Sequence, residues 1–263
     1  MASRKSIVLG IDAAWTATQP SGVALVRGDG DAWTCLALAP SYASFLALAR
    51  DARVDWRARP AAGIAACDAL IAASIALAGA PPDVIAVDMP LSKRPITARR
   101  AADNAISSAF GRFGLGVHTP SAERPGPIAD TLRRDFEAHG FGLATTADRP
   151  RRAMLEVYPH AAVLALLGAD YRVPYKLSRA AQYWPDRSAD ERRRAIVGKW
   201  RAIRRALAAR IDGVHLRVPT SGPLAALKRY EDALDAVVCA WVGIEYLAGR
   251  ARPHGDATAA VWA

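Results

Sequence analysis

The 263-residue chain has little of what a stapled or membrane-embedded protein requires. Its three cysteines, Cys35, Cys67 and Cys239, are far apart, with no CxxC pair and no Cys/His cluster of zinc spacing. A disulfide framework and a structural zinc are thereby excluded, and a reducing, cytoplasmic compartment is expected. The longest apolar stretch, Ala236 to Ile244, falls far short of the roughly 20 residues that a bilayer span needs. Asp12 interrupts the first apolar run too early for a signal peptide. There is no GxxxxGK[ST] phosphate loop and no GxSxG elbow, and Gly111 to Gly116 (GRFGLG) has the wrong spacing for a dinucleotide fingerprint. Internal repeats and low-complexity linkers are also lacking. Aromatic residues are only 7% of the chain, so helices are expected to pack through small side chains.

What is present suffices for a full core. With 52% hydrophobic residues, positions 1–263 read as a single folded domain. Lys and Arg number 35 against 25 Asp and Glu, a formal net charge of +10, and only Lys5, Lys93, Lys176, Lys199 and Lys228 are lysines. A basic balance favours phosphate-bearing partners such as nucleic acid, although an alanine-plus-arginine bias dilutes that signal. No membrane partner is expected.

Hydrophobic patterning gives an α/β reading. Ser6 to Asp12 is a continuously apolar strand ending in a carboxylate, and Gly22 to Arg27 and Ala32 to Leu38 follow as two more strands about a Gly28 to Asp31 hairpin turn. Helices are expected at Ser41 to Arg50 and Gly63 to Ala78, then an apolar strand from Asp83 to Asp88. From about 92 to 150 the texture turns to Arg, Gly and Pro, which reads as an insertion beside a site, with one helix near Thr97 to Phe110. Met154 to Tyr158 is a short strand stopped by Pro159, and Ala161 to Leu167 is a helix. Between Asp190 and Ile211, apolar residues recur at helical spacing with Arg194, Arg201 and Arg205 opposite them, and Tyr230 to Leu247 is a long apolar helix. The C-terminal DATAAVWA shows no obvious final strand.

Two strands that end in Asp12 and Asp88, and a helix that opens with Asp232 and Asp235 at i and i+3, form a pattern that capping does not account for. Crowded carboxylates repel unless cations sit among them, and oxygen ligands of this kind suit Mg2+ or Mn2+. Two such ions, about 3.5 to 4 Å apart, would clamp the attacking and leaving oxygens of a phosphodiester displacement. Read singly, each Asp is equally a turn or cap residue.

The segments GIDAAWTATQPSGVALV, VIAVDMPL, LEVYPHAAVLALLG with PYK after it, and YEDALDAVVCAWVGIEYLAG resemble the DUF429 family, predicted nucleases of the RNase H fold, from about Ile7 to Gly249. The resemblance implies three antiparallel strands, a helix, a parallel fourth strand and a late helix. It places metal-binding acids at Asp12, Asp88, Asp232 and Asp235, the helical pair being similar to that of RuvC-like resolvases. Glu156 is then either a further metal ligand or an acid that orients Lys176, and His160 either shuttles protons or hydrogen-bonds within the fold. Lys176 and Arg179 are candidates for holding a phosphate, as are Arg99, Arg100 and Asp103, and Trp15 either stacks on a base or packs in the core. The resulting expectation is a Mg2+- or Mn2+-dependent nuclease acting on DNA or RNA. A phosphotransferase of the sugar/acetate kinase-like superfold and a non-catalytic nucleic-acid-binding module are the alternatives.

Overall fold

The structure is a computed structural model that describes residues 5–64 and 66–263. It is built on one mixed sheet with helices on both faces. Strand β1 (Ser6–Asp12) is central. It pairs antiparallel with β2 (Gly22–Asp29), which pairs antiparallel with β3 (Ala32–Ala39). On its other side β1 runs parallel to β4 (Val84–Val87), and β4 runs parallel to β6 (Ala153–Val157). The apolar runs in β1 and β4 are continuous because both faces are covered. Ile7, Leu9 and Ile11 point into one core with helices α1 (Tyr42–Leu48), α2 (Cys67–Ala78) and α4 (Pro127–Ala138). Val8 points the other way, toward α5 (Pro159–Leu167), α7 (Ala189–Ala208) and α8 (Lys228–Leu247).

The antiparallel meander, the parallel fourth strand and the late helix agree with the sequence reading. Helix α2 starts at Cys67 rather than Gly63, whose φ of 140° is not helical; position 65 within that expected helix lies outside the described residues, as do positions 1–4 ahead of the first apolar run. Pro159 opens α5 instead of merely stopping a strand, since proline in a first helical turn lacks only an N–H that would be unpaired anyway. Within 92–150 lie α3 (Ala101–Phe110), α4 and a short β5 (Gly142–Leu143) that pairs with β6. Helix α6 (Ala180–Tyr183) is a single turn before α7, which opens at a Ser188/Glu191 capping box and leaves Arg194, Arg201 and Arg205 exposed.

The expectation of no final strand is overturned. β7 (Pro253–Gly255) folds antiparallel onto β8 (Ala260–Trp262), and β8 adds parallel to β6 at Glu156 and Val157. Trp262 anchors this edge, fully buried, with Nε1 donating to the Ala144 carbonyl at 2.8 Å. Among the described residues no helix is long and apolar enough to cross a membrane.

Candidate active site

The register brings the two strand-end acids together. Ile11 is level with Val87 in the parallel ladder, and the Asp88 N–H continues it by donating to the Ile11 carbonyl at 2.8 Å. Asp12 and Asp88 therefore stand side by side at the carboxyl ends of β1 and β4. Helix α8 delivers the third acid by crossing the sheet at two glycines. A Cβ on Gly10 would lie 2.1 Å from the Ala236 carbonyl oxygen, and one on Gly22 would lie 2.1 Å from that of Asp232. Only glycine permits this approach. Gly22 is the register partner of Asp12, so the contact that needs Gly22 also sets Asp232 beside Asp12.

Asp12, Asp88 and Asp232 line one cavity of about 550 Å³, together with Trp15, Arg124 and Lys228. Burial lifts the Asp12 carboxyl well above its ordinary 3.8, the charges of Asp232 and Asp235 add to the rise, and Lys176 and Lys228 offset it in part. Burial likewise pushes Asp88 up to about 7, Lys176 opposing. Asp232 is raised by burial, with Lys228 opposing. The cluster is short of positive charge.

Asp235 sits beneath the cavity, fully buried, with Oδ1 accepting from the Tyr175 hydroxyl at 2.9 Å and Oδ2 from Lys176 Nζ at 2.5 Å. The i, i+3 pair thus shares a helix face but takes different partners, and Asp232 lines the cavity while Asp235 does not. Lys228, half-exposed, binds Asp232 Oδ1 and lies 3.3 Å from Glu231 Oε1. Glu231 is 1% exposed and also accepts the Leu177 N–H. As these side chains stand, no group of three or more His, Cys, Asp or Glu among the described residues is disposed to hold a metal ion, and ammonium groups are paired with Asp232 and Asp235. The donor chemistry nevertheless fits a divalent cation: Asp12, Asp88 and Asp232 offer hard oxygens around a deficit of positive charge, and the Lys228 side chain is exposed enough to swing away.

Glu156 does not reach Lys176. Its two oxygens take a bidentate pair from Arg100, Nη1 at 2.6 Å and Nη2 at 2.7 Å, and Oε2 also accepts the Leu91 N–H. Arg100 spends its remaining N–H groups on both Asp103 oxygens and on the Leu91 carbonyl, so none of its five donors is left for a phosphate. This buried knot clamps Leu91 on both its N–H and its C=O, three residues after Asp88, and fixes the loop that carries that acid. Arg99 is similarly engaged, on Asn104, Ser107, Thr119 and the Asp103 carbonyl. Trp15 packs against the core on the α1/α2 side while lining the cavity, with the Arg124 guanidinium 5.9 Å from its ring. Burial, aided by the charges of Lys176, Arg172 and Arg179, pushes the His160 imidazole well below its ordinary 6.5, which favours its neutral form.

The profile of a family described as a protein of unknown function (DUF429) matches residues 10–259. The chain belongs to the DUF429 family. Neither curated proteins nor solved structures give a match. All of the acids discussed in this DUF429 member, from Asp12 to Asp235, lie inside the matched span. Sequence reasoning missed Tyr175, Lys228, Glu231 and Arg172. Two of them had a usable signal: Tyr175 precedes Lys176 in PYK, and Glu231 adjoins Asp232 in YED.

Proposed function

We propose that this DUF429 protein hydrolyses phosphodiester bonds of nucleic acid, with an RNase H-like core and Mg2+ or Mn2+ as cofactor. The observation that carries the reading is the convergence of Asp12, Asp88 and Asp232, from two strand ends and a helix, on one cavity short of positive charge. A divalent cation held by these three would supply Lewis acidity toward a phosphoryl oxygen and a more acidic bound water. The chain's own groups do the rest. Lys228 presents a half-exposed ammonium to the cavity, a donor for a non-bridging phosphate oxygen. Tyr175 and Lys176 hold the Asp235 side chain in place by hydrogen bonds, and the Arg100–Glu156 knot keeps Asp88 on its strand end. Trp15 offers a ring face at the cavity wall for a base. The phosphotransferase alternative lacks a phosphate-cradling turn: Ala14 to Ser21 contains no glycine, and Ser21 Oγ is taken up by the Ala14 N–H.

The test is cleavage of mixed single- and double-stranded DNA and RNA by wild type and Asp12→Asn with Mg2+ or Mn2+. Wild type cleaves, and the substitution lowers the rate by roughly 10²–10³-fold, the scale on which loss of a transition-state charge partner acts, while circular dichroism remains unchanged. Equal cleavage by both purified proteins would remove the nuclease reading.

A further inference from the structure

Beyond Asp88 the cleft changes character. A second cavity, of about 250 Å³, shares Trp15, Asp88, His118 and Lys228 with the first and continues to His160, Arg172 and Arg179. Its carboxylates are mostly satisfied: Glu156 and Asp103 by Arg100, Glu231 by Lys228 and the Leu177 N–H. Two of its three arginines, Arg172 and Arg179, are not. Among the described residues no carboxylate pairs with Arg172 or Arg179. Arg172 lies 5.9 Å from the Tyr183 ring and its Nε is buried without an acceptor, while Arg179 makes one long hydrogen bond, 3.4 Å, to His118 Nε2.

His160 supplies the independent observation. It is 7% exposed, set between the Tyr158 and Tyr175 rings at 5.7 and 4.9 Å, and its Nε2 is buried without a partner. A buried polar atom left unpaired in a cavity wall calls for a ligand. The neutral tautomer protonated at Nε2 gives an N–H donor at that atom. Two guanidinium forks without a carboxylate partner and a neutral N–H are the donors a phosphate takes, whereas a cation finds only Asp88 free there.

We propose that this second cavity is an anion subsite that takes one phosphate group of the substrate, next to the scissile one, with Arg172 and Arg179 supplying the charge and His160 Nε2–H a neutral hydrogen bond. The inference rests on the nuclease reading for its meaning: the acidic cavity cuts, and the basic cavity holds the neighbouring phosphate so that the substrate chain passes over Asp88.

The experiment needs no cleavage. Inorganic phosphate is titrated by calorimetry into the full chain in EDTA, using wild type, Arg172→Ala/Arg179→Ala, Arg179→Gln, His160→Phe and Asp12→Asn. Wild type binds saturably, the double substitution weakens binding at least tenfold, and Arg179→Gln and His160→Phe weaken it severalfold. His160→Phe keeps the ring between the two tyrosines, so its loss reports the nitrogen. Arg179→Gln, at a half-buried position, serves if the double substitution does not fold. Asp12→Asn binds no more weakly than wild type. An absence of saturable binding in wild type, or full affinity in Arg179→Gln and His160→Phe, overturns the subsite. Phosphate binding as expected in a protein that cleaves nothing would leave the subsite standing and remove only the nuclease reading.

Discussion

Asp88→Asn should make the metal-free protein more stable, and increasingly so as pH rises. Asp88 has its carboxyl moved from 3.8 to about 7, burial being the largest cause. At 1.36 kcal/mol per pH unit, ionising it in the fold costs about 4 kcal/mol more than ionising it in the unfolded chain. A carboxylate whose folded pKa is raised contributes most below the unfolded value and loses that contribution as pH climbs through the folded one. The wild type therefore loses stability between about pH 4 and pH 7 at this residue, whereas asparagine, similar in shape and uncharged, loses none. The advantage of the substitution grows from about 1.5 kcal/mol at pH 5 to up to about 4 kcal/mol at pH 8. At roughly 2–4 °C per kcal/mol, the melting temperature at pH 8 rises by about 8–16 °C. Differential scanning calorimetry in EDTA at pH 5, 6.5 and 8 reads this directly. A variant less stable than wild type at pH 8, or a gap that does not widen with pH, would refute the claim that Asp88 is held at an electrostatic cost. The same substitution removes a wall of the acidic cavity, so stability and activity should move in opposite directions.

Gly22→Ala should lower the melting temperature by roughly 2–12 °C, because overpacking of about 1–3 kcal/mol is forced on a backbone contact that cannot rotate away; an unchanged melting temperature would mean that α8 does not press on β2 there. Glu156→Gln should destabilise by about 3 kcal/mol, since it leaves the Arg100 guanidinium, whose side chain is 8% exposed, short of its bidentate partner. The pair Arg100→Met/Glu156→Met should recover part of that loss in urea denaturation, and a double variant worse than Glu156→Gln would argue against a charge-pair origin.

The strands that carry Asp12 and Asp88 were legible because burial on both faces writes an uninterrupted apolar run, and a terminal Asp stands out against it. Helix α4 was not: its buried residues Ala129, Leu132 and Phe136 keep helical spacing, but the Arg133–Arg134 pair and three acids between Pro127 and Ala138 hide them in a polar stretch. β7 and β8 have three residues each, too few for a period-2 signal. In the site, i, i+3 spacing correctly put Asp232 and Asp235 on one face. What separates their surroundings comes from Tyr175 and Lys176, 60 and 59 residues from Asp235 along the chain, and no local pattern encodes that. Arg100 read as a candidate phosphate ligand because the carboxylate that claims it, Glu156, is 56 residues distant.

Lys176 and Lys228 give the acid cluster its own counterions. Tethered ammonium groups hold Asp232, Asp235 and Glu231 in place, whereas burial leaves Asp12 and Asp88 inclined to take up protons. On the nuclease reading proposed above, entry of a divalent cation would be an exchange: the ion would displace Lys228 from Asp232, and the lysine would be freed to meet an anionic substrate. Occupancy would follow the substrate as much as the ion, so such a site would load fully only when both are present.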